Sequence, residues 1–217
     1  MSLKRPVFLV RAGILLLGAC ALFASDFPDP VLDNQTQRGK QVAVLAGGCF
    51  WCTEVVFQQI EGVEKVVSGY SGGSAASAHY EIVSTGTTGH AEVVQVTFDP
   101  QKISYGKLLK VFFDIAHDPT QLNRQGPDTG PQYRSAIFYS NAEQKRIAEA
   151  YIKQLDQAKV FPKPIVTQVV ELKAFYEAES HHQNFCNRNP RNSYVQSIAM
   201  PKVDKVKQKV PELMKKK

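Results

Sequence analysis

Nothing in this sequence repeats. No period of about 20–50 residues recurs along its 217 positions, which excludes a solenoid or propeller. The apolar run at residues 12–23 is short of the roughly 20 residues of a comfortable membrane span, although residues 7–10 could extend it. There is no basic body either. Lys4, Arg5 and Arg11 carry three of the positive charges, and from Lys202 onward seven lysines outnumber two acids. Taking those eight charges from the net +6 leaves −2 for everything between, so a nucleic-acid footprint is excluded. The lysine-rich end reads as a solvated helix face or frayed tail. Cysteine is scarce: Cys20, Cys49, Cys52 and Cys186. If Cys20 is lipidated or lost with a leader, three remain, and an odd number argues against a purely structural disulfide framework.

What is present begins with a leader. Basic residues precede the apolar run, and Leu17-Gly18-Ala19-Cys20 has the form of a lipoprotein cleavage box, while Ala19-Cys20-Ala21 also fits a small-x-small signal-peptidase site. Residues 1–25 are therefore expected to be a signal peptide or lipoprotein signal, with residues 26–40, carrying Pro28 and Pro30, as a linker. Residues 41–217 then form a single domain with a basic C-terminal tail, exported to the periplasm or held on a membrane by a lipid on Cys20.

Within that body, residues 41–46 read as a strand entering a turn at Gly47-Gly48, and residues 49–60 as a helix stopped by Gly62. Residues 63–69 suggest a second strand, 70–78 a loop and 79–84 a short helix. Residues 91–98 alternate, with Glu92, Val94, Val96 and Phe98 on one face. A helix over 104–116 capped by Ser104, a long loop over 118–132, a strand at 134–139 and a helix capped by Asn141 follow. A strand at 166–170 and helices at 178–187 and 203–214 complete the chain. The irregular alternation predicts an α+β fold, a two-layer sandwich around a mixed, largely antiparallel sheet with a ferredoxin-like core.

Three segments carry chemistry. Gly47-Gly48-Cys49-Phe50-Trp51-Cys52 puts Cys49 at a helix start, where free N–H groups and the helix dipole favour a thiolate. The Cys-x-x-Cys spacing turns the reading from a structural cysteine towards redox or metal chemistry. Cys52 lies one turn from Cys49, so a Cys49–Cys52 disulfide would close with little movement. Cys186 reads as a small buried hydrophobe. In Gly89-His90-Ala91-Glu92 the carboxyl is either buried with its strand face and kept protonated as a general acid, or it reaches solvent at the strand end; His90 reads as a turn residue. Along residues 125–135, Asp128 can organise a loop. Tyr133, like Tyr80 earlier, offers a phenol to an oxygen gaining charge, though each alone reads as packing.

Taken in order, Gly48-Cys49-Phe50-Trp51, Tyr80-Glu81, Thr88 through Val94, His117 through Thr120, Gln125 through Ser135 and His182-Gln183 resemble the A-type peptide methionine sulfoxide reductases, over roughly residues 42–202. The resemblance implies Cys49 as nucleophile and Glu92 as proton donor, supported by Tyr80, Tyr133 and Asp128, with Phe50 and Trp51 lining a pocket for the substrate methyl. It implies reduction of the S-epimer of methionine sulfoxide, protein-bound or free, through a Cys49 sulfenic acid that condenses with a second thiol. Recycling would fall to a thioredoxin-like dithiol, with no metal or organic cofactor, in a monomer. The chain departs from the common pattern at Cys52, where Gly is frequent, at Pro127, where Asn is frequent, and at Val195, where many members place a recycling cysteine. Two rival readings are a thioredoxin-like disulfide oxidoreductase using Cys49 and Cys52, which leaves Glu92 without a role, and a metal-binding module drawn from Cys49, Cys52, His90, His181, His182 and Cys186. The second lacks a further Cys-x-x-Cys pair, and His181 and His182, read as helix neighbours, would point apart.

Overall fold

The computed structural model describes Met1 and residues 27–33 and 38–216; most of the expected leader, with Cys20, lies outside the described residues. Its centre is a six-stranded mixed sheet in the order β7-β6-β1-β3-β2-β8. The strands are β1 (Gln41–Gly47), β2 (Val63–Ser71), β3 (Ala91–Phe98), β6 (Ser135–Tyr139), β7 (Gln168–Glu171) and β8 (Tyr176–Glu177). All pairings are antiparallel except β6 with β7. The remaining elements are α1 (Phe50–Gln58), α2 (Tyr80–Val83), α3 (Tyr105–Val111), a small hairpin of β4 (Arg124–Gln125) and β5 (Asp128–Thr129), α4 (Ala142–Gln157), α5 (Phe185–Arg188) and α6 (Met200–Lys209).

Side-chain alternation divides the sheet into two faces. Ala43 and Leu45 of β1, Val94, Val96 and Phe98 of β3 and Ile137 of β6 join the main core beneath α1, α3, α4 and α6. Val44, Ala46, Ala91, Val93, Ala136 and Phe138 face the other way, into a smaller cluster covered by Val170, Leu172 and Phe175. The register pairs Leu45 with Val94 and Gly47 with Ser135. The C-terminal end of β1 and the N-terminal ends of β3 and β6 therefore converge at one edge, where Cys49, Glu92 and Tyr133 are delivered.

Several expectations are corrected. The helix expected over 178–187 is only α5, because Asn184 takes a left-handed conformation (φ 54°) that ends any regular helix before it. His181 and His182 consequently do not sit on a helix pointing apart; their ring centroids are 4.1 Å from each other. The tail helix starts earlier, at Met200, and ends before Pro211, whose ring cannot continue it. The helix expected over 104–116 is α3 followed by a π-helical turn, Phe112–Ala116. The loop 118–132 contains the β4–β5 hairpin. Residues 27–33, within the expected linker, are tied to the body. The Tyr151 hydroxyl donates to the Pro28 carbonyl at 2.6 Å, the Gly106 N–H to Asp33 at 2.9 Å, and the Asp29 carboxylate meets Lys107 and Lys110 at 2.7 and 2.8 Å.

Candidate active site

The turn between β1 and α1 is made possible by Gly48. Its φ is +86°, and a Cβ there would come within 2.4 Å of Gln125, so both the conformation and the space require glycine. Gln125 is itself fixed, accepting from the Asp118 N–H and donating to the Asp118 carbonyl at 3.1 Å each. Cys49 follows as the N-cap of α1 and accepts, at its carbonyl, the Cys52 and Thr53 N–H groups.

Glu92 is 2% exposed, and its Oε2 accepts the Phe50 N–H at 2.9 Å. One of the free amides of the α1 N-terminus is thereby given to a carboxyl that arrives from β3. Of the two readings open for Glu92, the buried one is observed. Burial drives its acid constant well above the ordinary carboxyl range, and the neighbouring Cys49 sulfur pushes the same way; the single backbone N–H does not reverse this. Glu92 therefore holds its proton to higher pH than an ordinary glutamate does.

At Cys49 the same physics works against the pull of the helix N-terminus. Cys49 is 7% exposed, and burial, followed by its hydrogen bond and charge interaction with Cys52, raises its thiol well above the usual cysteine value. Cys52 moves the other way, lowered first by the bond from Cys49 and, against burial, by Lys202 and Tyr194. The two thiols interact through a hydrogen bond and titrate as a pair. Tyr194, which sequence reasoning passed over, completes the cluster: its hydroxyl lies 3.8 Å from the Cys52 sulfur and donates to Asp128 at 2.5 Å. Asp128 thus holds a phenol over the thiols rather than loop amides. Cys186 is buried in the same cluster as Cys49 and Cys52, with its sulfur donating to the Trp51 carbonyl at 3.4 Å; burial pushes its thiol up to about 12.

Aromatic rings line the carboxyl side. Phe50 packs against Trp51, Tyr70, Tyr80 and His182 with centroids 5.4–6.4 Å apart, and Trp51 stacks on Phe185 at 3.8 Å. Tyr80 and Tyr133 both lie close enough for the Glu92 charge to raise their phenols, after burial; both are phenols at any ordinary pH. Glu179, also missed, secures this wall by accepting the Tyr80 N–H and the Tyr70 hydroxyl at 2.9 Å each. His90 is more than a turn residue: it is buried, its Nδ1 accepts the Gly73 N–H at 3.2 Å and its Nε2 faces the Ser74 carbonyl at 3.0 Å. Arg134 ties that turn down through the Gly89 and His90 carbonyls. No single motif pointed to Tyr194 or Glu179; each reaches its partner across more than 60 residues.

On the Cys52 side a cavity of about 190 Å3 is lined by Cys49, Cys52, Gln125, Asp128, Tyr194 and Lys202 among others. A larger hollow of about 600 Å3 at residues 156–164 contains no sulfur or buried acid, so the smaller one is where the chemistry lies. The six residues of the metal-module reading do not assemble: among the described residues no three His, Cys, Asp or Glu side chains are grouped to hold an ion.

Paired thiols next to a buried carboxyl with a raised acid constant, at the strand ends of a mixed sheet, define a thiol-dependent oxidoreductase. Residues 41–214 match the family model described as peptide methionine sulfoxide reductase. The chain is 53% identical over 182 residues to a peptide methionine sulfoxide reductase of Mesorhizobium japonicum, covering 84% of this chain and 93% of that one. It is 49% identical over 197 residues to one of Synechocystis, covering 89% and 92%. Among solved structures, methionine sulfoxide reductase A of Corynebacterium diphtheriae superposes with a TM-score of 0.63 at 33% identity, covering 73% of this chain and 79% of that one. The chain belongs to the peptide methionine sulfoxide reductase family, whose reaction is reduction of methionine sulfoxide to methionine.

Proposed function

We propose that this chain reduces methionine-S-sulfoxide with Cys49 as nucleophile, Glu92 as proton donor and Cys52 as resolving thiol. The observation that carries the reading is the buried Glu92 carboxyl lodged against the α1 N-terminus beside the Cys49 sulfur, its acid constant raised by burial. When Cys49 passes its proton to Cys52, the Cys49 thiolate attacks the sulfoxide sulfur. The sulfoxide oxygen takes the Glu92 proton, assisted by hydrogen bonds from Tyr80 and Tyr133, as charge builds on it. The S–O oxygen ends on Cys49 as a sulfenic acid and the thioether leaves. Phe50 and Trp51 supply an apolar wall suited to the methyl group. Cys52 then displaces the oxygen as water, forming a Cys49–Cys52 disulfide for an external thioredoxin-like dithiol to reduce.

The bond between Cys49 and Cys52, and the Tyr194 hydroxyl over Cys52, support Cys52, whose thiol is lowered, over Cys186, whose thiol is raised by burial and donates to a backbone carbonyl. Cys52→Ser is expected to release about one methionine per enzyme and then stall with thioredoxin as donor, while Cys186→Ser cycles like the wild type. Peptide mapping of the oxidised protein checks this; a dominant linkage through Cys186 would exclude the assignment.

We also propose export, with the body in the periplasm or tethered by a lipid on Cys20; the basic start, apolar run and Leu17-Gly18-Ala19-Cys20 box support it. Cys20→Ala is expected to move the protein from the membrane to the soluble fraction, and full-length chain found in the cytoplasm with residues 1–20 intact would oppose it. The order β1-α1-β2-β3-α3-β6, with β6-β1-β3-β2 side by side, supports reading the core as ferredoxin-like.

A further inference from the structure

We propose that Lys202 is a positioning residue for the resolving step: its ammonium, anchored on the Ala116 carbonyl beside the Cys49–Cys52 cavity, holds negative charge on the Cys52 sulfur as that sulfur attacks oxidised Cys49. This rests on the proposed roles of Cys49 and Cys52.

The lysines of α6 differ in their surroundings. Lys207 pairs with Asp204 at 2.7 Å and Lys209 pairs with Asp114. Lys205 is exposed at the cavity rim. Lys202 is half-buried, lines the cavity with both sulfurs, and donates to the Ala116 carbonyl at 2.6 Å. Ala116 ends the π-helical turn, where carbonyls lack partners further along the helix and a cation is favoured. Among the described residues no carboxylate forms an ion pair with Lys202, and the fold itself pins the side chain. Asp128, the carboxylate on the same cavity, is committed to the Tyr194 hydroxyl. A cation close to a thiol favours the thiolate, and Lys202 acts in that sense on Cys52.

In the step concerned, the Cys52 thiolate forms the S–S bond to the Cys49 sulfenic sulfur while the S–O bond breaks. The Cys52 sulfur is oxidised, the sulfenic sulfur is reduced, and the departing hydroxide takes up the proton that the Cys52 thiol released and leaves as water. The groups facing Cys52 are Cys49 and, through the buried cluster, Cys186, with Asp128, Tyr194, Lys202 and Lys205 around the cavity. Buried Glu54 of α1, raised to about 7 by burial, titrates in the same range, so differences between variants are the quantity to read.

The test is a single turnover of the full-length enzyme, reduced and then freed of dithiol, with a methionine-S-sulfoxide peptide across about pH 5.5–9. Methionine release and thiol loss are followed in the same samples. For Lys202→Met the inflection of the thiol-loss step should move up by about one pH unit. Below it, thiol loss should slow about threefold relative to methionine release. A tenfold smaller thiolate fraction is there partly offset by a more nucleophilic sulfur with a Brønsted slope of about 0.4–0.5. On the alkaline plateau the variant should equal or exceed the wild type. Lys202→Arg should restore the wild-type profile, and Lys205→Met should leave the inflection in place. An unmoved inflection, with or without a lower plateau, or an equal shift from Lys205→Met, overturns the proposal. Absence of methionine release from the wild type would instead overturn the reading on which it rests.

Discussion

Cys49→Ser enzyme, given methionine-S-sulfoxide and excess dithiothreitol, should release no methionine above the uncatalysed background. The substitution changes one atom in a site that is already buried, with the Tyr194 phenol and the Cys52 thiol at hand for the new hydroxyl, so folding should survive it. The chemistry should not. A serine oxygen is a far weaker nucleophile at neutral pH, and it cannot form the sulfenic acid that carries the transferred oxygen. The melting transition of the variant checks the fold, and methionine release by chromatography checks the chemistry. Turnover remaining in a folded Cys49→Ser protein would mean that another group attacks the sulfoxide.

For Glu92→Gln, a loss of about 10²–10⁴-fold in the single-turnover rate is expected, with substrate binding retained. The amide oxygen of the new side chain can still accept the Phe50 N–H, so the start of α1 keeps its partner; the proton is what disappears. Two pH signatures accompany the loss. In the wild type the rate should fall as pH rises through the raised acid constant of Glu92, and the variant should lack that alkaline limb. Stability should also fall with rising pH, beginning at the ordinary glutamate value. A carboxyl whose folded-state value is raised favours folding only while it stays protonated. Between the ordinary glutamate value and the raised one, the unfolded chain has already released its proton and the folded chain has not, so native stability declines with rising pH. The variant carries no such term. It should therefore gain in melting temperature relative to the wild type as pH climbs from 4 to 8, and a difference that stays constant over that range would show that Glu92 is not raised.

Which parts of this site were readable beforehand follows from how local each determinant is. The alternation of Glu92, Val94, Val96 and Phe98 marks one face of β3, and that face is buried as a unit. The Gly47-Gly48 pair announces the turn that places Cys49. At Cys49 the helix N-terminus favours the thiolate and burial opposes it, and the extent of burial depends on what the folded chain lays over the sulfur. Tyr194 and Lys202 lie about 140 and 150 residues from the thiols they adjoin and belong to no periodic pattern. The π-helical turn at Phe112–Ala116 has an apolar pattern that an α-helix would share. Asn184 gave no warning of its left-handed backbone, which shortened the expected helix.

The convergence of β1, β3 and β6 at one edge of the sheet has a bearing on how this protein reports its own condition. Cys49 and Cys52 flank the start of α1, Cys186 comes from a distant stretch of chain, and all three are hidden only in the assembled state. Cys49 and Cys52 also line the cavity, whereas Cys186 does not; a bulky alkylating reagent can reach Cys186 only when the packing around α1 opens, so the speed of its labelling measures the free energy of that opening. A thiol beside the reacting pair thereby serves as an intrinsic gauge of native-state fluctuation, legible by mass.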